Sequence, residues 1–162
     1  MNFFDPAFQT PISATEFGLC DNGTGGQAYT DCETPTSWIA TVKNPSADNW
    51  TFTVIDKGVI ADCEFVAKGR CDGMLSQDRQ ALVLVELKDQ RQGWIPKAIQ
   101  QLEDTIGLFQ NAHPSDWDAF IKKRAYACNK RHPFFQHSHK EDCLRFFQCY
   151  KVRLQIEATI AL

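Results

Sequence analysis

The stretch RCDGMLSQDRQALVLVELKDQ, residues 70–90, contains the most apolar run of the chain and ends that run with a Glu-Leu-Lys triplet. Five aliphatic residues at 81–85 are typical of a β-strand inside a core, and we expect this strand to cover 81–89. The segment CEFVAKGRCDG, 63–73, predicts the preceding strand, and MLSQDRQ, 74–80, predicts a hairpin loop between them. The stretch therefore predicts an antiparallel strand pair with charge at one end.

Three charged side chains of this hairpin are expected to meet. Side chains two residues apart in a strand share a face, so Glu86 and Lys88 lie on one side of the sheet, roughly 7 Å apart. A tight hairpin places Asp72, at the end of the preceding strand, beside Glu86. Adjacent carboxylates repel each other unless a cation lies between them, and Mg²⁺ prefers such hard oxygen ligands. Lys88 can then orient a water and stabilise the charge that develops on a phosphodiester.

A second interpretation of the same residues remains open. A Glu-Lys pair also protects an edge strand against aggregation, and Asp72 is then a turn residue. A charge on the face of the most apolar strand is costly without a partner, which favours a site over this alternative.

The order of Asp72, then a strand ending in Glu-Leu-Lys, then a helix with two adjacent glutamines, resembles the PD-(D/E)XK nuclease superfamily. The resemblance covers roughly residues 50–162 and implies an α/β fold with a mixed central sheet flanked by helices, the restriction-endonuclease-like fold. Residues 1–49 are then a turn-rich extension packed on this core.

The resemblance implies a role for each site residue. The two carboxylates and the Leu87 carbonyl bind one or two Mg²⁺ (or Mn²⁺) ions, the lysine assists the attacking water, and a helix glutamine supports the site. The residues assigned in this way are Asp72, Glu86, Leu87, Lys88, Gln100 and Gln101. Two departures are present: Cys71 replaces the family's proline, and an acidic residue from a first helix has only weak counterparts such as Glu16. The number of metal ions therefore stays open.

The rest of the chain follows simple patterns. Apolar residues at spacings of three and four predict an amphipathic helix over 95–109, which His113-Pro114 ends. Strands are expected at 50–56, 120–128 and 152–160, a helix at 140–151, and a small N-terminal ribbon that pairs 27–30 with 37–43.

Charge is distributed unevenly along the chain, whose net charge is −3. Residues 1–66 hold two basic and nine acidic side chains, whereas residues 122–153 hold nine basic and two acidic. The basic block predicts a face that attracts a polyanion, although a solvated lysine-rich surface is the alternative. Basic residues expected to contact phosphate are Lys97, Lys123, Lys130 and Arg131. The neighbouring aromatic residues Tyr126, Phe134 and Phe135 can stack on unpaired bases, or they are core or loop anchors, an interpretation that suits at least Tyr126 and one of the phenylalanines.

The seven cysteines are odd in number and irregularly spaced, so reduced thiols are expected. A zinc site built from His137, His139, Cys143 and Cys149 is disfavoured because the spacing is not a standard one. Cys20 and Cys32 flank a turn and are equally weak candidates. With no apolar run that spans a bilayer and no secretory leader, the cytoplasm is the expected location.

Together these patterns predict a Mg²⁺-dependent endonuclease acting on DNA. A homo-oligomer or a larger complex is expected, because the chain contains no separate sequence-reading module. The resemblance alone suggests a setting in bacterial defence against foreign DNA. The alternatives are a non-catalytic nuclease-fold scaffold that binds nucleic acid or a partner enzyme, and an inhibitor or immunity factor that binds through the acidic N-terminal third.

Overall fold

Residues 1–23, 25–61, 64, 68–131 and 139–162 are described by a computed structural model of the chain. They form three layers: helices, a six-stranded mixed sheet, and a four-stranded mixed sheet. The strands are β1 (Gln9–Ile12), β2 (Glu16–Cys20), β3 (Tyr29–Asp31), β4 (Ala40–Lys43), β5 (Trp50–Val54), β6 (Gly73–Gln77), β7 (Ala81–Lys88), β8 (Lys122–Asn129), β9 (Arg153–Ile156) and β10 (Thr159–Ala161). The helices are α1 (Trp94–Ala112), α2 (Pro114–Ala119) and α3 (Lys140–Tyr150). The expectation of an α/β protein with a mixed sheet is confirmed.

The large sheet has the strand order β1-β5-β6-β7-β8-β9. Its first four strands pair antiparallel, whereas β8 and β9 are added parallel to β7. Parallel neighbours need a crossover. Helices α1 and α2 connect β7 to β8, and α3 lies between β8 and β9 in the chain.

The hairpin of β6 and β7 differs from the expected one. The strand predicted over 63–73 begins only at Gly73, and the predicted loop 74–80 is mostly strand, with its turn at 78–80. Residues 62, 63 and 65–67 lie outside the described part of the chain. Met74, Leu75 and Ser76 are all buried, because the sheet is covered on both faces and its strands need not alternate between polar and apolar residues. Asp72 therefore precedes a strand.

The four-stranded sheet, with the order β10-β4-β2-β3, was only partly foreseen. The predicted N-terminal ribbon is wrong in its pairing, since β2 lies between β3 and β4 and pairs with both. The last predicted strand, 152–160, is divided between the two sheets: β9 pairs with β8, and β10 pairs with β4. The chain bends at Glu157 and Ala158, and this bend carries it from one layer to the other.

Two apolar cores lie on the two faces of the large sheet. On one face Met74, Leu82 and Leu84 pack against the apolar stripe of α1, which includes Ile99 and Leu102. On the other face Val83 and Val85 of the large sheet pack against residues of the four-stranded sheet, which include Phe17, Val42 and Ile160. The predicted amphipathic helix is thus confirmed and extends to Ala112. None of the described helices has the length and apolarity required to cross a membrane.

Two glycines provide a test of the packing. A Cβ on Gly18 would lie 2.0 Å from Cγ of the Trp38 ring, whereas a Cβ on Gly107 of α1 would meet nothing within 4 Å. We expect Gly18→Ala to destabilise the protein by about 2 kcal/mol through overpacking. Gly107→Ala should stabilise it by up to about 1 kcal/mol, because alanine favours the helix. Urea denaturation measures both changes, and equal stability of the two variants would contradict the packing of the four-stranded sheet.

Candidate active site

Of the predicted charged residues, Glu86 and Lys88 lie on the face of the large sheet that α1 covers. Met74 and Leu84 are paired across β6 and β7 and both belong to the core beneath the helices. Gly73 is paired with Val85, and continuing this register by one residue sets Asp72, just before β6, opposite Glu86. The negative charge of Asp72 raises the pKa of Glu86, so the two carboxylates lie close enough to interact, as a common cation requires.

Backbone contacts hold Asp72 in this position. Its Oδ2 accepts a hydrogen bond of 2.6 Å from the N–H of Leu87, and its carbonyl accepts one of 3.0 Å from the N–H of Ile55. The side chain is thus fixed to the end of β7 although it belongs to the neighbouring chain segment. Leu87 therefore contacts Asp72 through its backbone N–H, whereas the predicted metal ligand is its carbonyl.

Glu86 is the most unusual residue of the site, because its side chain is 0 % exposed. One carboxylate oxygen forms an ion pair with the ammonium of Lys88, whose side chain is 12 % exposed. The other oxygen, Oε2, has no hydrogen-bond partner among the described residues. A buried carboxylate oxygen without a partner is costly, which marks this atom as a binding position.

Burial dominates the protonation of both carboxyl groups. It raises the pKa of Glu86 well above its usual value; the negative charge of Asp72 raises it further, while Lys88 opposes the shift. Burial likewise raises the pKa of Asp72 to about 7, against the opposing hydrogen bond from Leu87 and the charge of Lys88. Perturbed carboxyl groups that face each other are typical of functional sites.

Helix α1 supplies the next contact. The Nζ of Lys88 donates to Oε1 of Gln101 at 2.9 Å, and the Nε2 of Gln101 donates to the Arg70 carbonyl at 2.9 Å. Gln100 instead donates to Oδ1 of Asp104, an exposed contact of 3.0 Å. Of the two predicted glutamines, the structure brings only Gln101 to the site.

Sequence reasoning missed the residues that hold the segment before Asp72. Arg70 pairs through Nε with Oδ1 of Asp56 at 2.8 Å. The N–H of Cys71 donates to Oγ1 of Thr105 at 2.8 Å, within the interior. The negative charge of Asp56 also raises the pKa of Asp72 and of Glu86. These contacts join residues far apart in sequence, so no local spacing could have indicated them.

The predicted phosphate contacts are divided between two ends of the sheet. Lys97 is exposed in the first turn of α1, one helical turn before Gln101. Lys130 and Arg131 follow β8 at the edge where Lys88 ends β7. Their side chains are engaged, Lys130 with the Thr36 carbonyl at 2.6 Å and Arg131 with Asp89.

Lys123 lies at the opposite end of β8. Its ammonium donates to the carbonyls of Trp117 and Phe120, at 2.9 and 2.8 Å, and burial lowers its pKa. The structure therefore does not bring Lys123 to the carboxylates.

The described residues contain no group of three or more His, Cys, Asp or Glu side chains arranged to hold a metal ion. The pair formed by Asp72 and Glu86 still fits Mg²⁺, which takes one or two carboxylates and fills its other positions with water and substrate phosphate. The unpartnered Oε2 of Glu86 is the observation that supports this fit.

The disfavoured zinc set cannot be assembled from the described residues. His137, Phe134 and Phe135 lie outside them. His139 contacts Asp142 at 3.2 Å. The cysteines within the described residues are free thiols, as expected: Cys20, Cys32, Cys71, Cys128, Cys143 and Cys149.

Comparison with known proteins gives no relative. No family model matches the chain, and no curated protein or solved structure matches it.

The raised pKa of Asp72 predicts a pH-dependent stability. In the unfolded chain this carboxyl ionises near its usual value of 3.8, but in the folded protein it ionises only near 7. The stability that the protonated form provides at low pH is therefore lost progressively between these two values and stays lost above about 7. Asp72→Asn keeps an acceptor for the Leu87 N–H and removes the charge.

We expect Asp72→Asn, free of divalent metal, to be more stable than wild type at pH 8 by on the order of 2 kcal/mol, and by less at pH 5. Urea denaturation across this range measures the difference. Mg²⁺ should reduce the gap at pH 8 by stabilising only the wild type. A gap that is constant with pH would contradict the assigned burial of Asp72.

Proposed function

We propose that the protein is a Mg²⁺-dependent endonuclease that hydrolyses phosphodiester bonds in DNA. The buried, unpartnered oxygen of Glu86 beside Asp72 is the observation that carries this proposal. In a purely structural ion pair the burial of such an atom is costly and nothing compensates it.

In this mechanism Asp72 and Glu86 would hold the ion, and the Leu87 carbonyl is the expected third protein oxygen. When bound, Mg²⁺ neutralises phosphate charge and lowers the pKa of a coordinated water. The backbone N–H of Leu87 orients the Asp72 carboxylate, so the protein maintains the geometry before substrate arrives.

Lys88 provides the positive charge at the same point. Its ammonium already lies against Glu86, and the amide of Gln101 holds it there through a second contact. With Glu86 bound to an ion, the ammonium of Lys88 would be free to hold the attacking water and to stabilise the charge on the phosphorus centre. Gln101 is therefore a positioning residue.

The restriction-endonuclease-like fold is part of the proposal. An antiparallel β5-β6-β7 meander, a helix, and a parallel β8 support it, because this order delivers the Asp, the Glu-x-Lys and the glutamine to one edge. We further propose that the protein acts in the bacterial cytoplasm, in defence against foreign DNA, as a homo-oligomer or within a complex whose other subunits select the substrate.

One observation favours a second candidate, a non-catalytic scaffold that binds nucleic acid or a partner enzyme. Glu86 and Lys88 are already paired, so the charge of the site is largely compensated without an ion. The two candidates differ in whether divalent metal and these two side chains are needed for turnover.

A plasmid cleavage assay distinguishes the nuclease from the non-catalytic scaffold. We expect conversion of supercoiled DNA in Mg²⁺, none in EDTA, and a loss of at least about 100-fold in Glu86→Gln and in Lys88→Met, since each removes charge stabilisation of the transition state. Isothermal titration should show Mg²⁺ binding to wild type and not to Glu86→Gln. Folded wild-type protein that neither binds Mg²⁺ nor cleaves DNA would support the scaffold.

The adjacent glutamines offer a matched pair of variants. Gln101→Ala removes the hydrogen bond to Lys88 and should lower the cleavage rate about tenfold, whereas Gln100→Ala removes only an exposed hydrogen bond and should leave the rate unchanged. The loss in Gln101→Ala should appear in kcat and not in KM, because Gln101 acts through Lys88 and not on the substrate. Equal rates in the two variants would contradict the positioning role.

A further inference from the structure

A groove runs along the outer side of α3, where β9 forms the edge of the large sheet. Two adjoining cavities of about 730 and 590 Å³ make up the groove and share Arg124, Phe147 and Arg153 in their walls. The groove is separate from the carboxylate site, since neither cavity includes Asp72, Glu86 or residues of α1.

The lining of the groove is strongly cationic. Six basic residues line it and no acidic residue among the described part of the chain does: Lys122, Lys123, Arg124, Lys140, Lys151 and Arg153. Lys123 is engaged by the carbonyls at the end of α2, and Arg124 by the carbonyl of Ala161. The other four are positioned to contact anions. In a protein of net charge −3, such a concentration of one sign selects a polyanion.

Apolar side chains occupy the floor between these cations. Leu144 is 58 % exposed, Phe147 43 % and Ile121 70 %, although side chains of this size usually lie in the core. Lys140, Leu144 and Phe147 follow helical spacing on one side of α3, and Lys151 is the residue that ends the helix, so the stripe is about 16 Å long. The stripe therefore has a cation at each end and two exposed apolar side chains between them.

Single-stranded nucleic acid suits this arrangement better than a duplex. Lysine and arginine bind phosphates without reading sequence, and an exposed aromatic ring stacks on an unpaired base. A duplex keeps its bases stacked on each other, so Phe147 would have no ring to contact. The Lys151 ammonium lies over one face of the Phe147 ring, 5.8 Å from its centre, so a base that stacks on the ring also meets a cation.

We propose that the groove between α3 and β9 binds a single strand of nucleic acid, with phosphates on Lys122, Lys140, Lys151 and Arg153 and a base on Phe147. The choice of nucleic acid among polyanions rests on the proposed nuclease function. Helix α3 runs antiparallel to β8. Lys140 therefore lies toward the carboxyl ends of β7 and β8, where Glu86 and Lys88 are, and Lys151 lies toward the amino ends of these strands. A nucleic-acid strand bound in the groove thus extends away from the strand ends where cleavage is proposed.

Fluorescence anisotropy with a labelled oligothymidylate of about 12 nucleotides tests the proposal, in EDTA so that no cleavage occurs. Lys140→Gln/Arg153→Gln should weaken binding and reduce the salt dependence of the logarithm of affinity by about 0.7 for each phosphate that the variant no longer neutralises. Phe147→Leu keeps an apolar side chain but removes the ring, and should weaken binding about tenfold. The matched control Lys57→Gln/Lys68→Gln removes two charges on the β5–β6 connection and should bind as wild type.

Each other outcome overturns the assignment. Equal weakening by the control pair would show diffuse electrostatic binding. Equal affinity for a duplex of the same length, with Phe147→Leu unchanged, would show a phosphate-binding surface without stacking. Competition by polyglutamate as strong as that by oligothymidylate would indicate an acidic protein partner. Thermal melting confirms that each variant is folded, and the partial exposure of Phe147 makes a folding defect small.

The proposed binding groove and the proposed nuclease function can be tested independently of each other. Glu86→Gln should bind oligothymidylate as wild type, because Glu86 does not line the groove. Retained binding without metal-dependent cleavage would overturn only the nuclease, and intact cleavage without oligothymidylate binding would overturn only the groove.

Discussion

The burial of Glu86 at the end of the most apolar strand is the constraint on which the site depends. A carboxylate with no exposure needs a cation, and the structure places the Lys88 ammonium against one of its oxygens. That ammonium is held by Gln101 of α1, whose amide in turn binds the Arg70 carbonyl beside Asp72. Strand, helix and the segment before β6 are therefore linked through one charge, and moving any of them leaves a buried polar group without a partner.

The fold elements that could be predicted are those whose pattern is local. The run at 81–85 indicated β7, and the spacing of apolar residues indicated α1, because burial on one or both faces leaves a direct trace in the sequence. The start of β6 was missed since a strand covered on both faces shows no alternation. The division of the last strand was missed because the residues on both sides of the bend at 157–158 are equally suited to a strand.

The candidate site was predictable in part for the same reason. Glu86 and Lys88 share a face by the period of a strand, and the hairpin brings Asp72 to the end of β7, so the convergence of the three residues follows from spacing. Spacing does not decide which of Gln100 and Gln101 reaches the site. Adjacent helix residues point about 100° apart, and the side that faces Lys88 depends on how α1 crosses the sheet, which is a tertiary property. The pairing of Arg70 with Asp56 depends on the same long-range packing.

The pairing of β10 with β4 has a consequence for how the protein reaches its native state. Thr41 lies beside Thr159, so this part of the four-stranded sheet joins segments that are far apart in the sequence. Contacts of high sequence separation form slowly, because a long loop must close before they stabilise anything. Until they form, the apolar face of Val83 and Val85 lacks part of its cover. Kinetic competition with aggregation during refolding is thus built into the topology.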